Sequence, residues 1–132
     1  MTETESDGRV LQGLRILVVE DEMMVAMLIE DLLKELGCTI VGPAASIEQA
    51  LQLIASEAID GAMLDLNLAG RAVYPVADEL AWRSIPFIFA SGYGDQALTD
   101  RYNDRPRLRK PFRRLDLRRI LTATFASASN DT

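Results

Sequence analysis

Polar side chains that could bind a cation and a phosphate group occur at four points of the sequence, each directly after an apolar run. They are Glu20, Asp21 and Glu22; Asp65 and Asn67; Ser91; and Lys110. Oxygen ligands without histidine or thiolate favour a hard cation such as Mg²⁺ or Mn²⁺. The chain has no histidine and one cysteine, which weighs against a zinc site and against a histidine-dependent nucleophile. The residue types therefore indicate metal-assisted phosphate chemistry.

The carboxylates could hold a cation only if they lie close together in the fold. Glu20, Asp21 and Asp65 would repel one another at close range unless a cation lay among them. One carboxylate could then act as a nucleophile on phosphorus and form an aspartyl phosphate. Lys110 could pair with the phosphate oxygens, and Ser91 could donate its hydroxyl to them. Taken singly, each residue has an ordinary explanation, such as an acid at a helix N-terminus or a lysine in solvent.

The sequence alternates between predicted strands and predicted helices, an arrangement that can bring these polar residues together. The predicted strands are Leu14–Val19, Thr39–Gly42, Gly61–Leu66, Pro86–Ala90 and Arg107–Lys110. The predicted helices are Glu22–Leu36, a helix capped by Ser46 and ending near Ser56, a helix with Pro75 at its first position and ending near Arg83, and Leu115–Phe125. Such alternation predicts a parallel sheet with helices on both faces. Ligands bind beyond the carboxyl ends of such strands, where the polar residues lie.

Two parts of the pattern are weaker. Asp95–Asp104 offers few apolar anchors and follows two glycines, so a fourth helix there should be short or mobile. Arg113 and Arg114 are cations where a helix dipole disfavours them, so the last helix is expected to start after them.

Composition fits one soluble domain. The chain has 132 residues, 48% of them hydrophobic. It has neither a signal-peptide pattern nor an apolar run of about 18 residues, so a cytoplasmic protein without a membrane span is expected. Residues 1–100 hold 5 Lys/Arg and 17 Asp/Glu, whereas residues 101–132 hold 9 and 3. This basic C-terminal quarter suggests a docking surface for an acidic protein partner rather than for nucleic acid.

The strand-end residues resemble those of the receiver domain of bacterial two-component response regulators. The resemblance rests on Glu20-Asp21 after strand one, Asp65 at the end of strand three, Ser91 after strand four and Lys110-Pro111-Phe112 after strand five. It implies a flavodoxin-like (βα)5 three-layer sandwich with strand order 2-1-3-4-5. The domain would span residues 14–126, between an N-terminal tail (1–13) and a C-terminal tail (127–132).

The resemblance also implies roles for the site residues. Asp65 would accept a phosphoryl group from a phosphohistidine on a sensor histidine kinase or a phosphotransfer protein. Asp21, Asp65 and the backbone carbonyl of Asn67 would bind Mg²⁺, and Glu20 would act through water. Lys110 would contact the phosphoryl group, Ser91 would swing toward it, and Lys110–Pro111 would be a cis peptide. Such a chain is a phosphoacceptor that assists its own phosphorylation and dephosphorylation, and not a classical enzyme.

The stretch PFIFASGYG, residues 86–94, resembles a subgroup typical of alphaproteobacteria, known by the motif PFxFAT/SGY (FATGUY). Its members are often stand-alone receivers or are attached to histidine kinases of the HWE and related classes. Many receivers carry an aromatic residue where this chain has Arg107. We therefore expect Tyr93 and the segment after it to report phosphorylation. The residues expected to switch or to contact partners are Ser91, Gly92, Tyr93, Arg107, Pro111 and Phe112.

The leading hypothesis is a single-domain response regulator without a DNA-binding domain, which signals through protein contacts. A phosphate sink and a receiver excised from a hybrid kinase remain open alternatives. A haloacid-dehalogenase-like phosphatase is remote, because Asn67 cannot serve as a general acid. A dinucleotide-binding fold lacks its Gly-x-Gly-x-x-Gly motif after the first strand.

Overall fold

The structure, a computed structural model, describes residues 11–92 and 101–129, with the backbone alone for residues 127–129. Its strands are β1 (Arg15–Val19), β2 (Thr39–Ala44), β3 (Gly61–Asp65), β4 (Asn67–Leu68), β5 (Arg71–Ala72), β6 (Phe87–Ser91) and β7 (Arg107–Arg109). Its helices are α1 (Met23–Glu35), α2 (Ile47–Ser56), α3 (Tyr74–Trp82) and α4 (Arg114–Ser129). The five predicted strands and the first three predicted helices agree with these bounds to within two residues.

The main sheet has the order β2-β1-β3-β6-β7, and all its pairs are parallel. If the short strands β4 and β5 are set aside, this is the predicted order 2-1-3-4-5. The flavodoxin-like fold is therefore confirmed. The carboxyl ends of β1 and β3 are neighbours, because Val19 pairs with Leu64.

Two hydrophobic clusters cover the two faces of the sheet. In β1, Ile16 and Val18 pack with α1 and α4, whereas Leu17 and Val19 pack with α2 and α3. This alternation follows from the two-residue period of a strand, and it explains why the strand is apolar throughout. Gly61 is required where α4 meets β3, because a Cβ there would lie 2.7 Å from the ring of Phe125.

The predicted helix starts hold for α2 and α3. The hydroxyl of Ser46 accepts a hydrogen bond from the Gln49 amide at 3.1 Å, as the capping pattern predicts. Pro75 lies in the first turn of α3. Among the described residues, the helices are too short or too polar to cross a membrane.

The last helix begins one residue earlier than expected, and its predicted end is wrong. It starts at Arg114 and continues to Ser129, past the expected end at Phe125. The cost of a cation at this N-terminus is offset because Arg114 forms an ion pair with Glu35 of α1 and because Asp116 places an acid in the first turn.

The loop after β3 holds an element that the sequence pattern did not predict. Strands β4 and β5 form a small antiparallel hairpin, whose turn has positive φ at Ala69 (50°) and Gly70 (90°). Arg71 of the hairpin pairs with Glu48 of α2 at 2.9 Å. The expected short helix of Asp95–Asp104 and the proposed reporter Tyr93 lie, except for residues 101–104, outside the described residues.

Candidate functional site

Three carboxylates meet at the carboxyl ends of β1 and β3. Glu20 and Asp21 directly follow β1, and Asp65 is the last residue of β3. One oxygen from each lies within 4.8 Å of the others. Glu20 and Asp65 are only 3% and 4% exposed, whereas Asp21 is exposed. The structure thus brings together the three acids for which convergence was predicted.

Lys110 supplies a positive charge to this cluster. Its ammonium lies 3.1 Å from Oε1 of Glu20, 3.3 Å from Oδ2 of Asp65 and 3.1 Å from Oε1 of Glu22. Its backbone amide donates to the carbonyl of Ser91 at 2.7 Å, which places it directly after β7 and beside β6. Lys110–Pro111 is a cis peptide, as expected, and a second cis peptide is found at Gly42–Pro43.

The charges of the cluster shift two pKa values. Burial, together with the negative charge of Glu20, raises the pKa of Asp65 from 3.8 to about 8, although Lys110 and the Asn67 amide oppose this shift. Burial alone would lower the pKa of Lys110, but the charges of Asp65 and Glu20 raise it above its ordinary value. Without a bound cation, the folded cluster therefore favours a proton on Asp65.

The donor set fits a divalent cation held by oxygen ligands. Oε1 of Glu20 is buried and accepts no hydrogen bond, although the Lys110 ammonium lies 3.1 Å away. Lys110 and the Glu22 amide donate to Oε2 instead. The amide of Asn67 donates to Oδ1 of Asp65 at 3.2 Å and so fixes that carboxylate. Two buried carboxylates beside an exposed one suit a hard cation that retains part of its water.

A cavity of about 340 Å³, called here the acidic cavity, opens over these groups. Its lining includes Asp21, Asp65, Asn67, Gly70, Gly92 and Lys110. Ser91 is the last residue of β6 and is 6% exposed, on the strand whose Ala90 pairs with Asp65. All the predicted metal and phosphate residues therefore lie at one edge of the sheet.

An apolar groove of about 590 Å³ adjoins the acidic cavity. Met24, Val25 and Leu28 of α1 form one side, and Pro111 and Phe112 form the other. Glu22, Gly92 and Lys110 line both the groove and the acidic cavity. The exposed side chains of Met23, Met24 and Met27, at 76%, 82% and 53%, extend the apolar surface along α1.

A second polar region, the arginine–aromatic cluster, lies where residues 101–107 meet α3 and β6. It comprises Arg101, Arg105, Arg107, Tyr74, Tyr102, Phe87, Phe89 and Asp78. The guanidinium of Arg105 lies 4.4 Å from the ring centroid of Phe87, and that of Arg107 lies 5.9 Å from Phe89. The Tyr102 hydroxyl donates to Asp78 at 2.5 Å, and its ring packs edge-on against Phe87. Arg107 occupies the position at which many receivers carry an aromatic residue, and here its guanidinium lies over the ring of Phe89.

Two contacts were not predicted from the sequence. Glu22 was noted as an acid after β1, but its contact with Lys110 joins residues that are 88 positions apart. Tyr102 lies in the segment that was expected to offer few apolar anchors, and its bond to Asp78 was not predicted. The sequence signals, a third consecutive acid and a tyrosine in a polar segment, are too common to predict such contacts.

Comparison with known proteins shows to which family the chain is similar. The profile of the response regulator receiver domain matches residues 16–122. Among solved structures, SdrG from Sphingomonas melonis Fr1 is 40% identical with a TM-score of 0.75, over 86% of this chain and 96% of that one. The receiver domain of PhyR from Erythrobacter litoralis is 28% identical with a TM-score of 0.78, over 92% and 95%.

Two curated relatives are longer proteins. PdtaR of Mycobacterium tuberculosis is 28% identical over 105 residues, 79% of this chain and 51% of that protein. PhyR of Methylorubrum extorquens is 29% identical over 114 residues, 81% of this chain and 42% of that protein. The chain thus spans about half the length of these relatives. The structural neighbours SdrG and PhyR come from alphaproteobacteria, in agreement with the subgroup predicted from residues 86–94. With the strand order and the acid cluster described above, these matches show that the chain belongs to the response regulator receiver domain family of two-component signalling.

Proposed function

We propose that Asp65 accepts a phosphoryl group from a phosphohistidine on a partner protein. The observation that carries this proposal is the position of Asp65, which is buried at the floor of the acidic cavity beside Glu20 and Lys110. Its Oδ atom forms a bond to phosphorus, and the N–P bond of the phosphohistidine breaks. The electron pair of that bond goes to the imidazole nitrogen, which takes up a proton from solvent.

The residues around Asp65 position the phosphoryl group. Lys110 can turn its ammonium toward two phosphoryl oxygens, and the hydroxyl of Ser91 can donate to a third. We propose that Asp21, Asp65 and the carbonyl of Asn67 hold Mg²⁺ and that Glu20 acts on it through water. The bound cation would supply positive charge to the phosphoryl oxygens. The fit of the carboxylates to an oxygen-bound cation supports this assignment.

The apolar groove supplies the surface on which the phosphohistidine donor docks. Asp65 is 4% exposed, so a donor must approach closely before its imidazole can reach the carboxylate. The groove opens beside Lys110, and Met24 in its lining, with the exposed Met23 and Met27 of α1, can adapt to an apolar helical surface. We propose that the donor is a histidine kinase, of the HWE or a related class, or a phosphotransfer protein. The proposal includes a cytoplasmic location and a receiver spanning residues 14–126.

The comparisons support this proposal through the family and its relatives. Receiver domains are signalling phosphoacceptors, and their acidic pocket binds Mg²⁺. A relative 41% identical to this chain, SdrG, has been solved in a BeF3-activated conformation. The output of the activated chain is carried by protein contacts in our proposal, with Gly92, Tyr93, Arg107, Pro111 and Phe112 as the responding residues.

The acceptor is tested by labelling with a small-molecule phosphodonor in the presence of Mg²⁺. Wild type should form a hydroxylamine-sensitive acyl phosphate, and Asp65→Asn should lower the labelling at least about 100-fold, because the amide oxygen is a poor nucleophile. Asp31→Asn, which removes an exposed acid of α1, is the matched control and should label like wild type. Wild-type labelling in Asp65→Asn would place the acceptor elsewhere.

The docking surface is tested with a protein donor. Met24→Glu places a charge in the groove and should slow phosphotransfer from a phosphorylated histidine kinase about tenfold or more, while labelling by the small phosphodonor stays within about twofold. Trp82→Glu, at an exposed site at the end of α3, is the control. Equal transfer to Met24→Glu and wild type would remove the groove from the proposal. Profiling transfer from purified kinases of the HWE and other classes would identify the donor class.

A further inference from the structure

The three carboxylates that contact the Lys110 ammonium differ in kind. Glu20 and Asp65 are buried and belong to the acid cluster that could hold a cation. The side chain of Glu22 is 62% exposed, and Glu22 lies outside that cluster. Its distance to the ammonium, 3.1 Å, equals that of Glu20. Lys110 is therefore held from below by the two buried acids and at the rim by Glu22.

The backbone of Glu22 is held at this rim by local structure. Glu22 is the N-cap residue of α1, with an extended backbone and no side-chain capping bond. Its amide donates to Oε2 of Glu20 at 3.1 Å. An acidic side chain at this position could accept a bond from the first turn of the helix. Instead its carboxylate faces Lys110, which ties the start of α1 to the end of β7.

The Glu22–Lys110 ion pair lies at the boundary between the acidic cavity and the apolar groove. Both residues line the acidic cavity, and both line the apolar groove. An ammonium that leaves Glu22 for a phosphoryl group on Asp65 removes this boundary contact. It also leaves the Glu22 carboxylate as an unpaired anion at the end of the groove.

Resting on the proposed function, we propose that Glu22 is a positioning residue, which holds Lys110 at the rim of the acidic cavity until a phosphoryl group on Asp65 replaces it as a partner of the ammonium. Glu22 thereby competes with the incoming phosphoryl group for the same cation. This competition slows phosphorylation. Once the phosphoryl group on Asp65 has displaced Glu22 from Lys110, the Glu22 carboxylate at the end of the groove is no longer neutralised.

The kinetic test compares three variants with a small-molecule phosphodonor. Glu22→Gln should label about threefold to tenfold faster than wild type, because the competing carboxylate is gone. Glu22→Asp keeps the charge but shortens the side chain by one methylene, so it should also label faster. Asp31→Asn removes one charge from the same helix away from Lys110 and should label like wild type. If Glu22→Asp matches wild type while Glu22→Gln is faster, net charge explains the effect and the inference is wrong.

A spectroscopic readout separates positioning from a structural role. The ¹⁵Nζ resonance of Lys110 should differ between Glu22→Gln and wild type in the free proteins. It should coincide in the BeF3-bound proteins, where the phosphoryl mimic holds the ammonium in both. A difference that persists in the bound state, or none in the free state, would overturn the inference. Failure of wild type to label at all would overturn the proposed function as well, whereas equal labelling of Glu22→Gln and wild type overturns the inference alone.

Discussion

The acidic cavity and the arginine–aromatic cluster differ in how their charged side chains are buried and paired. In the cavity, Glu20 and Asp65 are buried together, and Lys110 provides the compensating charge. In the cluster, Arg101 is paired with Asp78 and lies over the ring of Tyr74, so its charge is matched at a partly exposed site. The cavity therefore costs stability in the absence of a cation, whereas the contacts of Arg101 contribute stability. Arg107 differs from Arg101, because its Nε and Nη2 atoms are buried without a hydrogen-bond partner in the described part of the chain. The proposed chemistry and the stabilising contacts of Arg101 thus lie in different parts of this small fold.

The largest expected contrast concerns Asp65 and pH. Because the folded protein raises the pKa of Asp65 to about 8 from 3.8, it keeps a proton that the unfolded chain releases. The free energy of unfolding, measured in EDTA, should therefore fall as pH rises from about 4 to about 8. Asp65→Asn removes this titration. It should be more stable than wild type by several kcal/mol at pH 8, since each pKa unit of the shift corresponds to about 1.4 kcal/mol, and about equally stable near pH 4.

Urea denaturation at several pH values measures this difference. Asp31→Asn should parallel wild type, since that residue lies outside the cavity. Parallel pH profiles of wild type and Asp65→Asn would show that the cavity carries no such cost.

Mg²⁺ should reverse the cost of the cavity. For a dissociation constant on the order of 1 mM, 10 mM Mg²⁺ would stabilise the folded state by about 1.4 kcal/mol, which raises Tm by several degrees. Asp21→Asn should lose most of this shift and Asp31→Asn should keep it, as thermal denaturation with and without the cation would show. An equal shift in all three proteins would indicate a non-specific salt effect.

A substitution in the arginine–aromatic cluster should lower the free energy of unfolding, whereas Asp65→Asn and Mg²⁺ should raise it. Tyr102→Phe removes the hydroxyl that donates to Asp78 and should cost about 1 kcal/mol. Tyr74→Phe is the matched control, because the buried Tyr74 hydroxyl has no hydrogen-bond partner in the described part of the chain, and its loss should be neutral or stabilising. Both variants should be labelled by the small phosphodonor at wild-type rates. Slower labelling of Tyr102→Phe would show that the two regions are coupled.

The smallest effect concerns Trp82, the single tryptophan of the chain. It is 82% exposed at the end of α3, which returns the chain to the amino ends of the strands. Its fluorescence should therefore stay constant within a few per cent when Mg²⁺ or BeF3 is added. A larger change would mean that events in the acidic cavity reach the opposite edge of the sheet.

Sequence reasoning was strongest where one physical requirement dominates. Strands buried on both faces must be apolar throughout, so β1, β3 and β6 were predicted to within about a residue at each end. Parallel order then brings their carboxyl ends together, which is why the sequence alone predicts the convergence of Glu20, Asp21 and Asp65.

It failed where long-range side-chain contacts decide the outcome. The dipole argument against Arg114 in a helix was overridden by Glu35, a residue on another helix. The hairpin of β4 and β5 consists of two-residue strands, which leave no periodic signal, and its turn places Ala69 at positive φ. The contact of Glu22 with Lys110 depends on side-chain rotamers that a sequence pattern does not encode.

The ladder between β6 and β7 has a consequence for divergence within the family. Pairing of Ala90 with Leu108 and of Ser91 with Arg109 sets where Ser91 and Lys110 stand relative to each other. Pro106 extends this ladder, because its carbonyl accepts a hydrogen bond from the amide of Phe89 at 3.0 Å. The residues of these pairs all lie outside the range 93–100. Insertions, deletions and substitutions between Gly92 and Arg101 can therefore accumulate without changing the spacing of the hydroxyl and the ammonium. A lineage could acquire new partners through that stretch while the proposed phosphate chemistry stays the same.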